Sequence, residues 1–193
     1  MAIKDYLVNK PTLETYNLIL RPITSDDVPD LKEWMPDPDL YTYWGRPANK
    51  SELNPAEIFI DPRPHIKRKP SSGFVWGMVL KSTGKVIGQV FIIEIENSRM
   101  AKVAYRLSKS YWGKGLTTEA LRKTVSFCFE NTELQRLWTD VDIRNAASCK
   151  VLEKCGFQKE GLIRQGKFNL TYCDYYLYGM LKEDFESTGN MGC

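Results

Sequence analysis

Residues 110–120 read Ser-Tyr-Trp-Gly-Lys-Gly-Leu-Thr-Thr-Glu-Ala, two glycines around a lysine just ahead of a run with helical patterning. Glycine has no Cβ, so it takes tight turns and lets another molecule approach the backbone. A helix start offers N–H groups without internal partners at the positive end of the helix dipole, and anions settle there. Gly113-Lys114-Gly115 therefore has the makings of a phosphate cradle; the plain alternative is a solvent turn. Two familiar phosphate motifs do not fit. A P-loop needs glycine five residues before its Gly-Lys pair and Ser or Thr after the lysine, and those positions hold Ser108 and Gly115. A dinucleotide fingerprint needs a third glycine where Thr118 stands, and a parallel strand–helix–strand unit where this chain has a meander.

The elements that must position this turn can be read from periodicity. Tyr16 to Arg21 alternates as a first strand. A helix follows, capped by Ser25 or Asp26, with Val28, Leu31 and Trp34 or Met35 on its apolar face. From Met35 to Ser72 prolines at 36, 38, 47, 55, 62, 64 and 70 break the pattern, and "ELNPAEIFI" offers at most a short helix. "GFVWGMVL", "KVIGQVFIIEIE" and "MAKVAYRLS" are three strands separated by turn signals, hence an antiparallel meander. After the glycine turn a helix runs from about Thr118 to Glu130, its inner face Leu121, Val125, Cys128 and Phe129. "RLWTDVDI" is a strand, and "NAASCKVLEKCGF" a helix with Asn145 at its N-cap and Gly156 just past its end. "FQKEGLIRQGKF" and "TYCDYYLYGML" are two closing strands, so the fold class is a mixed α/β sheet in one domain.

Composition narrows the function classes. The chain of 193 residues carries 27 Lys and Arg against 24 Asp and Glu, a net charge of +3 with no basic stripe, which argues against direct nucleic-acid binding. Its five cysteines are odd in number and lack a C-x-x-C pair, and His65 is the lone histidine, so a metal site is not expected. Free thiols, no apolar leader and no membrane-length apolar run lead to the expectation of a cytoplasmic protein that does not bind membranes.

The strand ending near Leu107, the glycine turn, its helix, and the later helix opening Asn145-Ala146-Ala147-Ser148 resemble the GNAT acetyltransferase superfamily. Within it the nearest likeness is to the ribosomal-protein N-terminal acetyltransferases. The resemblance runs through "LILRPITSDD", "GKVIGQVFI", "YWGKGLTTEAL", "RNAASCKVLEKCGF" and the strand from Asp174 to Leu181 with "KED" after it. YWGKG paired with N-x-x-S-x-x-V-L-E-K-x-G-F is highly specific; either half alone is much weaker. The resemblance implies one GNAT domain over 1–193, with an ordered core of about 12–186 between short tails. It implies helices on both faces of a mixed sheet, and splayed strands holding acetyl-CoA as co-substrate, without a metal.

By the same resemblance, the amides of Trp112, Gly113, Lys114, Gly115, Leu116, Thr117 and Thr118 hold the CoA pyrophosphate, and Lys114 adds charge. Thr117 stands where the family usually has Ala or Gly; its hydroxyl could donate to a phosphate oxygen or crowd it. An irregularity around Tyr105, Arg106 and Leu107 would turn a backbone N–H toward the thioester carbonyl. Asn145 and Ser148 match residues lining the pantetheine arm. Ser148 is read as proton donor or thiolate stabiliser and Asn145 as its orienter, with plain helix capping as the simpler account.

A general base is less clear, because Lys102 stands where the family often has glutamate. Glu94 and Glu96 remain, sharing one strand face by alternation, and Glu94 joins Ser148 and Asn145 as a catalytic candidate. An α-amine with pKa near ~8 is partly neutral already and can dispense with a strong base. Cys149, without a histidine partner, is filler rather than an acyl carrier. His65 lies in a basic, proline-rich loop whose charge could attract an acidic acceptor or the adenosine 3′-phosphate, and Tyr41, Tyr43 and Trp44 are candidates for the acceptor pocket. The expected function is acetyl transfer from acetyl-CoA by direct attack of a primary amine, foremost a protein N-terminal α-amine. The rivals are a polyamine or antibiotic acetyltransferase and a non-catalytic acyl-CoA-binding module. A homodimer is compatible with either.

Overall fold

The computed structural model describes residues 2–6, 10–45 and 73–187. The expected "ELNPAEIFI" helix and His65 lie outside them. A two-residue strand, Leu13–Glu14 (β1), turns into Leu18–Arg21 (β2). Tyr16 does not join the strand as expected, because it sits 91% exposed in the turn that Thr15 closes onto Leu18. A 3-10 turn over Ser25–Asp27 leads into the helix Val28–Trp34 (α1). The cap is neither Ser25 nor Asp26. The buried Asp27 carboxylate accepts the Thr24 N–H at 2.8 Å and both terminal nitrogens of Arg21 at 2.8 and 2.7 Å. That ion pair joins the helix entry to the strand before it.

Phe74–Leu80 (β3), Val86–Glu96 (β4) and Met100–Leu107 (β5) form the expected meander. Leu116–Asn131 (α2) crosses over to Arg136–Asp142 (β6), which Ala146–Lys154 (α3) links to the hairpin Gln158–Phe168 (β7) and Thr171–Leu181 (β8). A short closing helix, Lys182–Ser187 (α4), lacks a periodic signature. The Asp184 carboxylate accepts the Leu181 N–H at its start, and Phe185 packs on Phe129. Among the described residues the eight strands run β1-β2-β3-β4-β5-β6-β8-β7, and every neighbouring pair is antiparallel except β5 with β6.

Helices cover both faces. Leu31, Trp34, Met35, Leu40 and Tyr41 pack with Val79 and Val86 on one side. Leu121, Val125, Cys128 and Phe129, the expected inner stripe of α2, are buried with Trp76, Val90, Val103, Leu137 and Leu152 on the other. Among the described residues no helix is long and apolar enough to cross a membrane.

The one parallel pairing is also the shortest in the body of the sheet. It holds Met100 to Arg136, Ala101 to Leu137 and Lys102 to Trp138, and then ends. Beyond that point β5 stays with β4 as far as Leu107, and β6 stays with β8 as far as Asp142. Each strand keeps its outer partner, so the sheet opens into a fork with an unpaired backbone edge on both arms.

Candidate active site at the strand fork

The glycine turn closes the end of the β5 arm. Gly113 and Gly115 have φ of +75° and +78°, and no atom lies within 4 Å of where a Cβ would stand on either. L side chains avoid this backbone region, so the turn calls for glycine on conformational grounds alone. Gly115 is the N-cap of α2, and its C=O accepts the Glu119 N–H at 3.0 Å. Among the described residues no acceptor is found for the six N–H groups from Gly113 through Thr118. Trp112, expected as the first of the cradle amides, is not one of them. Its N–H donates to the Lys109 C=O at 3.1 Å in the preceding 3-10 turn, while its indole donates to the Leu107 C=O at 2.7 Å. Lys114 carries its ammonium to 5.0 Å from the Tyr111 ring.

The β5 edge of the fork has a definite polarity. The Ser108 N–H donates to Ile87 of β4, so by strand alternation the N–H groups of Leu107 and Tyr105 face the opening. No irregularity at 105–107 is needed for this, and none exists against β4: Tyr105, Arg106 and Leu107 pair in register with Val90, Gln89 and Gly88. The register shift falls instead between Ile93 and Glu96, where Glu94 takes φ +51°. Arg106, expected beside the cofactor, has the wrong parity. Its guanidinium is buried on the α1 face, bonded to Gln89 at 2.6 Å and ringed by Trp34, Trp44 and Phe91.

Asn145 caps α3, accepting the Ser148 N–H on its side-chain oxygen at 3.1 Å. Across the opening the Tyr105 hydroxyl lies 2.7 Å from Ser148 Oγ and 3.3 Å from the Ser148 C=O. Burial pushes the Tyr105 phenol well above its ordinary pKa. Cys149 and Cys155 flank this pair and are both buried, and burial raises the Cys155 thiol to about 12, so it stays protonated.

On the opposite face, at the crotch, Lys102 sits 2.8 Å from Asp140 and 3.6 Å from Glu94, with its ammonium 5.0 Å from the Trp138 ring. The left-handed turn at Glu94 breaks the alternation from which a shared face with Glu96 was expected. Further along, Arg144 holds the buried Asp142 carboxylate at 2.9 and 2.5 Å and lies 5.9 Å from the Tyr43 ring. The hydrogen bonds from Arg144, opposed by burial, keep Asp142 below the ordinary carboxylate range.

Residues 17–158 match the family described as acetyltransferase (GNAT) domain. The chain belongs to the GNAT acetyltransferase family. It is 31% identical over 174 residues to the uncharacterized N-acetyltransferase YoaA of Bacillus subtilis, covering 89% of this chain and 97% of YoaA. Identity to the uncharacterized N-acetyltransferase p20 of Bacillus licheniformis is 29% over 177 residues, 90% of this chain and 98% of p20. Spermidine N(1)-acetyltransferase of Escherichia coli aligns at 24% over 147 residues, 76% of this chain and 75% of that enzyme. Among solved structures, a GNAT-family acetyltransferase from Bacillus anthracis superposes with a TM-score of 0.76 at 20% identity, covering 90% of this chain and 99% of that one. RimL, the ribosomal L7/L12 alpha-N-protein acetyltransferase solved with coenzyme A, gives 0.71 at 19% identity, covering 89% and 98%. As a GNAT acetyltransferase the chain is an acyltransferase, which sets aside the reading as a non-catalytic module.

In this GNAT chain the fold gathers Tyr105, Leu107, Gly113 to Thr118, Asn145 and Ser148 around one opening. It does not gather the three aromatic acceptor candidates. Tyr41 is core, its hydroxyl donating to the Met35 C=O at 3.0 Å. Trp44 packs on Phe91, and its C=O accepts from Asn169 at the β7–β8 hairpin tip at 2.6 Å. Tyr43 alone is exposed. Sequence reasoning missed the Tyr105 side chain and Asp140. The parity of Ala101, Val103, Tyr105 and Leu107 was a usable signal for the first; nothing local signals the second.

Proposed function

We propose that this GNAT enzyme acetylates a peptide or protein N-terminal α-amine, using acetyl-CoA by direct attack, in the cytoplasm. The observation that carries the acceptor choice is the near-compensation of charge at the crotch, where three carboxylates face two cations. Asp140 and Glu94 share Lys102, and Asp142 is held by Arg144. A polyamine brings several positive charges and calls for uncompensated carboxylates, whereas a single α-amine does not. The second reading, a polyamine acceptor, is favoured by the alignment with spermidine N(1)-acetyltransferase.

The residues fit acetyl-CoA. Six consecutive free amides beside two glycines with open space suit a pyrophosphate, and the outward N–H groups of Tyr105 and Leu107 suit an extended amide arm and a thioester carbonyl. The thioester supplies an activated acetyl group. The amine forms the new N–C bond and the C–S bond breaks. The Ser148 hydroxyl, on a helix start fixed by the Asn145 cap, serves the departing thiolate. The amine's proton leaves to water or to Glu94, whose side chain is 47% exposed. Since an α-amine titrates near ~8 and a lysine amine near ~10.4, a base-free reaction follows the acceptor rather than the protein.

The test is thiol release from acetyl-CoA with N-terminal peptides, polyamines and aminoglycosides, each over a pH series. Peptides should lead, with kcat/KM levelling off at the amine's own pKa and Glu94→Gln leaving the curve in place. A polyamine lead would overturn the acceptor assignment. A limb near pH 6 to 7 that ignores the acceptor, lost in Glu94→Gln, would make Glu94 the base.

A further inference from the structure

The reading above leaves one short contact unexplained. Tyr105 on the β5 arm and Ser148 on α3, which follows the β6 arm, are 43 residues apart, with their hydroxyls 2.7 Å from each other. Two hydroxyls at that distance share one hydrogen, and its direction decides what Ser148 can do. If Ser148 donates to Tyr105, its proton is turned away from any third atom. If Tyr105 donates, the Ser148 proton is free to point elsewhere.

The surroundings favour the second arrangement. The other acceptor within reach of the phenol, the Ser148 C=O in the first turn of α3, lies farther off at 3.3 Å against 2.7 Å for Oγ, so the phenol hydrogen is aimed chiefly at the hydroxyl. The phenol is also a stronger acid than an aliphatic alcohol and so the better donor of the two, and burial holds it in its protonated form. The titratable groups facing it are Cys149 and Cys155, neither of which is a strong acceptor. On the far side, the backbone of Asn145 is fixed by its N–H to the Asp142 C=O at 2.8 Å, and its side chain holds the Ser148 N–H, so the serine cannot swing away by moving the helix start.

We propose that Tyr105 is a positioning residue: its phenol donates to Ser148 Oγ and thereby presents the Ser148 proton to the sulfur leaving through the fork. The proposal rests on the reading of Ser148 as the group that serves the thiolate. Tyr105 stays protonated throughout and no proton passes through it; the hydrogen bond sets the serine rotor.

The experiment compares wild type with Tyr105→Phe, Ser148→Ala and the double variant, each checked for cooperative thermal unfolding. The equilibrium readout is calorimetric affinity for CoA relative to desulfo-CoA, above the ordinary thiol pKa of about 8.5. Wild type should prefer CoA by about tenfold, the worth of a hydrogen bond to a charged group. Tyr105→Phe should lose most of that preference and lower kcat by about tenfold with the acetyl-CoA KM nearly unchanged. Ser148→Ala should lose the preference entirely, and adding Tyr105→Phe to it should change nothing more. If Ser148→Ala keeps both the preference and kcat, the reading of Ser148 falls and this proposal with it. If Ser148→Ala behaves as expected but Tyr105→Phe keeps the preference, or costs as much in the Ser148→Ala background as in wild type, the Tyr105 assignment alone is overturned.

Discussion

The two sides of the fork are built on opposite principles. The β5 arm and its glycine turn leave polar groups unspent: among the described residues, six successive N–H groups from Gly113 to Thr118 have no acceptor. On the face across the crotch, the described carboxylates and hairpin-facing carbonyls are largely engaged. Asp140 and Glu94 meet Lys102, Asp142 meets Arg144, and the Trp44 and Gly45 carbonyls accept from Asn169 and Leu170 on the hairpin tip. Unspent backbone donors fit a ligand whose anion is the same in every turnover. A nearly compensated face suits acceptors that share only an amine, because it adds little field that would select a particular charge pattern.

The sharpest way to break this contrast is to fill the donor side. Gly115→Val should reduce calorimetric CoA affinity at least about a hundredfold, because side-chain atoms would stand over the free amides and φ of +78° would be strained. Gly84→Val supplies the control. Gly84 has φ of +73° and the same open space, but its N–H is bonded to the Leu80 C=O in a tight turn. It should cost comparable stability, about 1–2 kcal/mol, while leaving CoA affinity within about twofold. Equal loss of binding in both variants would mean that general strain, not the cradle, is being measured.

A smaller change should unbalance the other side. Lys102→Met leaves Asp140 and Glu94 without the cation they share. The ratio of polyamine to peptide kcat/KM should then rise by about fivefold, since one further uncompensated charge a few ångströms from a cationic acceptor is worth on the order of 1 kcal/mol in a hydrated cleft. An unchanged ratio would show that charge compensation at the crotch does not set acceptor preference.

The smallest effect concerns the Asp142–Arg144 pair. Asp142 is held below the ordinary carboxylate range by hydrogen bonds from Arg144, against burial. A depressed folded pKa gives stability that is fully present above the unfolded value of about 3.9 and is lost as pH falls through the folded one. Thermal unfolding midpoints of wild type and Arg144→Gln should therefore differ modestly at neutral pH and converge once the pH has fallen well below the ordinary carboxylate range. A gap that persists in acid would assign the difference to the packing of Arg144 on Tyr43 rather than to charge.

How much of this was legible depends on the distance over which each feature is specified. The glycine turn, the Asn145 cap and the stripe Leu121, Val125, Cys128 and Phe129 were all readable, since each is dictated within a few residues by φ, capping chemistry or helical period. The N-cap of α1 is Asp27 rather than the expected Ser25 or Asp26, because a 3-10 turn over Ser25–Asp27, closed by the Asp27 carboxylate on Thr24, precedes the helix. The family resemblance places the Trp112 amide in the cradle, but a 3-10 turn engages it. Such turns leave no apolar period to read.

By itself, then, the sequence determined the main strands and helices, though not the short α4, that a glycine turn precedes α2, and that two specific motifs resemble those of a CoA-using family. Tertiary structure alone decided that β5 and β6 part after Lys102 and Trp138, that Tyr105 reaches Ser148, and that Lys102 rather than solvent meets Asp140. The reason is physical. A backbone preference is a property of a residue and its near neighbours, whereas a fork exists only as a difference between two ladders, each satisfied elsewhere in the sheet.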